Sequence, residues 1–214
     1  SSVAVAVVGC FNELKAQKWT LNEIAEIAFQ AERFYLGVSG GWQDQYAAVF
    51  GGFNFMEFHS SENSVIPIRL SSDTVAELEE CLLLCDTGVA HNSGQIHDSQ
   101  RDNLLKSKIS NHVAENVKLS YEIRTHLIKG RLNDFGDCLD KAWRLKRTFS
   151  EKISNPALDA FYDEALANGA KGGKLMGAGG GGHFLFHLEP FKKHKLLRYI
   201  QSKGLKVYPL KFES

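Results

Sequence analysis

Apolar positions along the chain fall on a helical period in some stretches and alternate in others. Ser1–Leu14 reads as a helix opened by Ser1-Ser2, although Val3, Val5 and Val7 also alternate as in a strand, and Gly9 weakens both readings. Thr20-Leu21-Asn22-Glu23 has the pattern of a capping box. Ile24, Ile27, Ala28, Ala31, Phe34 and Tyr35 then recur at helical spacing as far as a turn over Gly37–Gly41. A polar island between aromatics, Trp42–Tyr46, runs through Ala47–Phe50 and Gly51-Gly52 into a phenylalanine-rich strand, Phe53–Phe58. A turn is expected over Ser60–Ser64, then a half-buried strand carrying Ile66, Ile68 and Leu70. Ser71-Ser72-Asp73 is the expected domain boundary, dividing 1–72 from 73–214.

Beyond it, Glu80–Asp86 reads as a buried strand ending at Thr87-Gly88, followed by a polar stretch from Ala90 to Asn103. Helices are expected over Asn111–Lys129, stopped at Gly130, and over the segment carrying Leu132, Phe135, Leu139 and Trp143. A third opens with Asn155-Pro156, a cap followed by proline at the first helical position, and carries Leu158, Phe161, Tyr162 and Leu166. A strand (Phe184–Leu188), a helix (Phe191–Lys203, ended by Gly204) and a last strand (Lys206–Phe212) close the chain. This order predicts an α+β fold, with helices on one face of a small antiparallel sheet.

Composition narrows the function. Lys+Arg 25 against Asp+Glu 25 leaves no net charge, which argues against nucleic acid as the main partner. Apolar runs such as Val3–Val8 and Leu82–Leu84 are too short to span a bilayer, and SSVAVAVVGC lacks the features of a signal peptide. No membrane partner and a cytoplasmic location are therefore expected. Cys81 and Cys85 lie in an apolar strand-like run, and no His/Cys cluster has zinc spacing. With Cys10 and Cys138 they read as buried free thiols.

The candidate chemistry lies in two places. Gly169–His187 (GAKGGKLMGAGGGGHFLFH) holds eight glycines in nineteen residues. Such density suits a loop whose backbone something must approach closely, or one whose amides converge on an anion. Asp44, in the polar island, could accept a proton from a bound hydroxyl, and Glu32 precedes it on a helix. Two carboxylates leading into one turn suit phosphoryl transfer, where one holds Mg²⁺ and the other orients the nucleophile. Taken alone, Asp44 is more often a turn-former or a solvated side chain, and Glu32 by default a helix-surface residue. His91, His97, Gln100 and Arg101 could read a sugar or its distal phosphate, or simply form an exposed loop and helix start. Arg101 and Lys171 are the candidate cations for such a phosphate.

The order of these pieces resembles the GHMP kinases, a superfamily that includes galactokinase, homoserine kinase and mevalonate kinase. The family's glycine-rich third motif is matched by Lys174–Phe186, and its acidic second motif by Gly40–Gln45. Of the first, a phosphate loop of the form P-x-x-x-G-L-G-S-S, only the final Ser1-Ser2 is present, which implies an N-terminally incomplete chain. The blocks Gln43–Phe58, Thr87-Gly88 and Ser154–Gly182 are most similar to the D-glycero-D-manno-heptose 7-phosphate kinase group. Gly40–Gln45 is also similar to L-fucose kinases.

The resemblance implies a two-domain fold. Residues 1–72 would be part of a ribosomal-protein-S5-like, ATP-binding half with an open sheet edge, and 73–214 a ferredoxin-like half. It implies ATP and Mg²⁺ as cofactors and a sugar or sugar phosphate as substrate, phosphorylated on its anomeric hydroxyl. The alternatives are an L-fucose or galactose kinase, or a binding module without activity. Asp44 corresponds to the catalytic aspartate, and Glu32 and Ser2 to metal-binding positions. Ser1, Ser2, Gly177, Gly179, Gly180 and Gly181 correspond to nucleotide-binding positions, and Gly40, Gly41, Gln45 and Gly182 to substrate-binding ones.

Overall fold

The computed structural model describes residues 1–89, 96, 99–100, 102–103 and 109–212. They gather into two compact units, Ser1–Arg69 and Leu70–Phe212.

In the first unit, α1 (Ser2–Glu13), α2 (Leu21–Gln30) and α3 (Gln43–Phe50) precede a hairpin of β1 (Asn54–Phe58) and β2 (Asn63–Pro67). The predicted capping box forms. Thr20 Oγ1 accepts from the Glu23 amide at 3.3 Å, and Glu23 Oε2 accepts from the Thr20 amide at 2.7 Å. Val8, Ile24 and Ala28 make the core, with Trp19 and Val49 against them. The helix does not stay α-helical to its end. Over Ala31–Tyr35 it widens into a π-turn, closed by a bond from the Leu36 amide to the Ala31 carbonyl at 3.1 Å.

Two expectations change here. The polar island is the first turn of helix α3 rather than a turn before a strand. The hairpin turn is shorter than Ser60–Ser64. His59 N donates to Glu62 O at 3.1 Å, so Phe58 already pairs with Asn63, and β2 ends at Pro67 before Ile68 and Leu70.

The second unit runs α4 (Ser72–Cys81), β3 (Leu82–Asp86), α5 (Ser110–Ile128), α6 (Leu132–Arg147), α7 (Pro156–Ala167), β4 (Ala170–Leu175), β5 (His183–Leu188), α8 (Lys193–Ser202) and β6 (Val207–Tyr208). Its strands lie in the order β4-β5-β3-β6, all neighbours antiparallel. With helices between β3 and β4 and between β5 and β6, this is the expected ferredoxin-like arrangement. Asn155 caps α7 as predicted, its Oδ1 accepting from the amides of Ala157 and Leu158, each at 3.0 Å. The core joins Leu83, Cys85, Phe184 and Phe186 of the sheet to Trp143, Leu158, Tyr162 and Leu196 of the helices. Phe184 meets Trp143 edge-on at 5.3 Å and stacks with Phe186 at 5.2 Å.

Here too the periodicity needs correction. The stretch read as a strand from Glu80 begins as helix α4, capped by Ser71, whose hydroxyl accepts from the Thr74 amide at 3.1 Å. Cys81 therefore ends a helix, and only Cys85 is in the strand. Cys81, Cys85 and Cys138 are buried, and burial pushes the Cys85 thiol up to about 12. Cys10 is exposed, contrary to expectation. The last strand pairs only through Val207 and Tyr208, because Pro209 has no N–H to continue the ladder. The helix expected from Phe191 begins with a 3₁₀ turn, Pro190–Lys192.

The largest correction concerns the glycines. Ala170–Leu175 is not loop but strand β4, and its glycines serve packing. A Cβ on Gly172 would stand 2.1 Å from the Gly136 carbonyl oxygen of α6, and a Cβ on Gly136 2.4 Å from His187 Nδ1. Helix α6 lies on the edge strand at a distance that only glycines permit.

Candidate active site

In the first unit the candidate residues converge on Glu32. The π-turn carries it, and it is only 9% exposed. Its Oε2 accepts from the Ser1 hydroxyl at 2.9 Å. The Gln45 side-chain amide donates to the same oxygen, and also to Ser1 Oγ at 3.2 Å. Gln45 is fully buried and its Oε1 has no partner among the described residues. The serine that reaches Glu32 is thus Ser1. Ser2 begins α1 and faces solvent.

Asp44 occupies the first turn of α3, where a carboxylate is favoured by the helix dipole. It is exposed, with Gln43 Nε2 at 3.3 Å from Oδ1. Successive residues on a helix point about 100° apart. While Gln45 turns inward to Glu32, Asp44 therefore presents its carboxylate outward beside the same cluster.

Arg33 fixes the segment before α3, and the sequence reading missed it. Its guanidinium donates to the carbonyls of Val38 (2.9 Å), Gly40 (3.0 Å) and Gly41 (2.8 Å), and Nη1 lies 3.9 Å from Glu32 Oε2. A Cβ on Gly40 would sit 2.7 Å from Nη2, which accounts for that glycine. Gly41 has open space around it and contributes its carbonyl. Trp42 stacks on Phe29 at 4.6 Å and Phe58 at 6.1 Å, anchoring the start of α3. An arginine directly after the acidic residue, facing a run of glycine carbonyls, was the available signal.

In the second unit the loop Met176–Gly182 is built rather than slack. The Gly180 amide donates to Ile153 O at 2.7 Å and the Gly182 amide to Val89 O at 3.1 Å. Gly182 O accepts from both the amide and the hydroxyl of Thr87 at 2.8 Å. A Cβ on Gly181 would stand 2.2 Å from Val89 O, and one on Gly179 3.0 Å from the Ile153 backbone. The glycines thus let two other segments press on the loop. A Cβ on Gly177 would meet nothing within 4 Å, but its φ is 72°. Gln100 donates to Ala178 O at 3.2 Å. Lys171 pairs with Asp137 at 3.3 Å. His91, His97 and Arg101 lie outside the described residues.

A magnesium ion takes few protein oxygens and fills its octahedron with water and phosphate. Ser1 Oγ and Glu32 Oε2, which hydrogen-bond each other at 2.9 Å, are hard oxygen donors of the kind such an ion takes. That pair fits such an ion. Among the described residues no group of three or more His, Cys, Asp or Glu could hold a metal.

The fold is the two-unit α+β architecture of a class of small-molecule kinases. The model of the GHMP kinase N-terminal domain matches residues 1–52 and that of the GHMP kinase C-terminal domain residues 123–204, and the chain belongs to this family. It is 33% identical over 204 residues to a D-glycero-alpha-D-manno-heptose 7-phosphate kinase of Campylobacter jejuni, covering 95% of this chain and 60% of the relative. It is 30% identical to a bifunctional fucokinase/GDP-fucose pyrophosphorylase of Arabidopsis thaliana, covering 92% of this chain and 19% of that one. A crystal structure of a D-glycero-D-manno-heptose 1-phosphate kinase from Bacteroides thetaiotaomicron superposes with a TM-score of 0.70 at 28% identity, covering 98% of this chain and 59% of that one. The chain thus spans about three fifths of the length of the heptose kinases it matches.

Proposed function

We propose that this chain provides part of an ATP-dependent sugar kinase that phosphorylates the anomeric hydroxyl of a heptose 7-phosphate. The observation that carries the reading is the cluster of Ser1, Glu32 and Gln45 beside Asp44 on the first turn of α3. In this reading 1–72 belong to the ATP-binding domain and 73–214 to the C-terminal domain. Asp44 accepts the proton of the anomeric hydroxyl as its oxygen attacks the γ-phosphorus and ADP leaves. Glu32 and Ser1 hold Mg²⁺, which supplies neutralising charge to the ATP phosphates when bound. Gln45 orients Glu32, and Gly40 and Gly41 shape the sugar side of the segment held by Arg33. The loop Gly177–Gly182 supplies backbone to the nucleotide and substrate.

The chain's likeness to a heptose 7-phosphate kinase over 95% of its length supports that acceptor. Its likeness to a fucokinase supports L-fucose as the second reading. The test is ATP consumption by the purified natural protein against heptose 7-phosphate, L-fucose and galactose, with the product's phosphorus resonances assigned. A preference for heptose 7-phosphate is expected, and a clear preference for L-fucose replaces it with the second reading.

A further inference from the structure

The end of α6 and the strand leading into the glycine loop carry five cations, and they divide sharply. Arg144 pairs with Asp140 at 2.8 Å, Arg147 with Asp159 at 2.8 Å and Lys171 with Asp137 at 3.3 Å. Lys146 and Lys174 pair with no carboxylate among the described residues. Lys146 Nζ instead bonds the carbonyls that enter the loop, those of Leu175 (3.4 Å) and Gly177. That uses two of its three N–H donors. Lys174 stands immediately before Leu175 on β4, and no hydrogen bond of its ammonium is formed among the described residues.

Both side chains are half-buried. Burial lowers the Lys146 ammonium to about 7, with the Lys174 charge adding to the effect, and burial lowers Lys174 as well. Two like charges taken partly out of water without a counter-ion are costly unless an anion offsets them. Their remaining donors radiate from two point charges and offer no planar fork. Lysine ammonium groups bind phosphate in this way, as point charges.

We propose that Lys146 and Lys174 form a phosphate-monoester subsite at the entrance to the Met176–Gly182 loop. The subsite deepens the sugar-kinase reading, on which it rests only for the identity of the phosphate's carrier. It also displaces Lys171, already paired with Asp137, as the phosphate-binding cation of this strand.

The test uses the natural protein with inorganic phosphate as the probe and neither sugar nor ATP present. Calorimetric titration is expected to show phosphate affinity falling about tenfold or more in Lys174→Met and in Lys146→Met, and unchanged in Lys171→Met. Lysine acetylation read by mass spectrometry gives a measurement on the unsubstituted protein, should a variant fail to fold. Saturating phosphate should slow modification of Lys146 and Lys174 and leave Lys171 unaffected. Equal affinity in Lys174→Met and the parent, no measurable affinity in the parent, or no protection of these two lysines overturns the subsite. Phosphate binding here without transfer to any sugar retires the kinase reading and leaves the subsite standing. Turnover of heptose 7-phosphate with phosphate affinity indifferent to both variants does the reverse.

Discussion

The guanidinium of Arg33 holds the carbonyl of Gly41 at 2.8 Å, eight residues further along the chain. With its bonds to Val38 and Gly40, it binds the π-turn that carries Glu32 to the segment that introduces Asp44. Arg33 reaches these carbonyls with three separate nitrogens of a rigid fork, which a lysine's single ammonium cannot reproduce. Arg33→Lys is therefore expected to lower kcat of the natural protein about tenfold or more by misplacing this segment, with global stability changed by no more than about 1 kcal/mol. Steady-state kinetics and amide exchange at residues 38–41 check it. Unaltered exchange there removes Arg33's positioning role.

Asp44 and Glu32 separate by which parameter moves. Asp44→Asn keeps size and loses the proton-accepting charge, so turnover should fall by roughly two orders of magnitude or more while nucleotide affinity survives. In the reading proposed above, Glu32→Gln removes a metal ligand and should weaken Mg²⁺-dependent nucleotide binding as well as rate. Near-normal turnover in Asp44→Asn at saturating sugar reduces Asp44 to an ordinary residue of the helix's first turn.

The glycines fall into two kinds, which alanine distinguishes. At Gly172 a Cβ would meet the Gly136 oxygen at 2.1 Å and the Asp140 nitrogen at 2.9 Å, backbone atoms that cannot rotate aside. Gly172→Ala should cost roughly 3 kcal/mol or more in urea unfolding. Gly177, with open space but a φ of 72°, should cost only about 1 kcal/mol as alanine. Equal losses would mean that close packing of α6 on β4 is not what requires glycine.

His187 makes the fold acid-sensitive. It is 1% exposed and neither ring nitrogen has a partner among the described residues. Burial, reinforced by the Lys171 charge, lowers its pKa from 6.5 to about 4. The neutral ring is thus favoured in the folded state. Its contribution is complete above about pH 6.5, where the unfolded chain also holds it neutral, and is lost as pH falls towards 4. The loss is on the order of 3 kcal/mol. Unfolding free energies measured from pH 7 to 4 should fall more steeply for the wild type than for His187→Leu. Parallel curves would place the acid sensitivity elsewhere.

Much of this was legible because it is local. The capping box at Thr20, the Asn155-Pro156 helix start, the alternation of Phe184 and Phe186, and the glycine after α8 each act within a few residues. What escaped depends on partners distant in sequence. β4 was hidden because glycine has no strand preference of its own, and its placement comes from Gly136 on α6. Helix α4 was hidden because its last apolar residues merge with Leu82–Cys85 into one run. The choice between Ser1 and Ser2 turns on helix phase at a first residue, where periodicity has nothing to count. Arg33, Lys146 and Lys174 reveal themselves only through what surrounds them.

The strand order of the second unit sets the pace of its assembly. Leu83 pairs with Phe186, about one hundred residues later, at the middle of the sheet. α5, α6 and α7 all lie within the loop that this pairing closes, so chain closure of high entropic cost must precede the main burial of apolar surface. During synthesis, the segment Leu82–Asp86 leaves the ribosome long before its partner and waits with its apolar side chains in water and its strand edges unpaired. That waiting strand, apolar and unpaired, is where a holding chaperone has the most to protect.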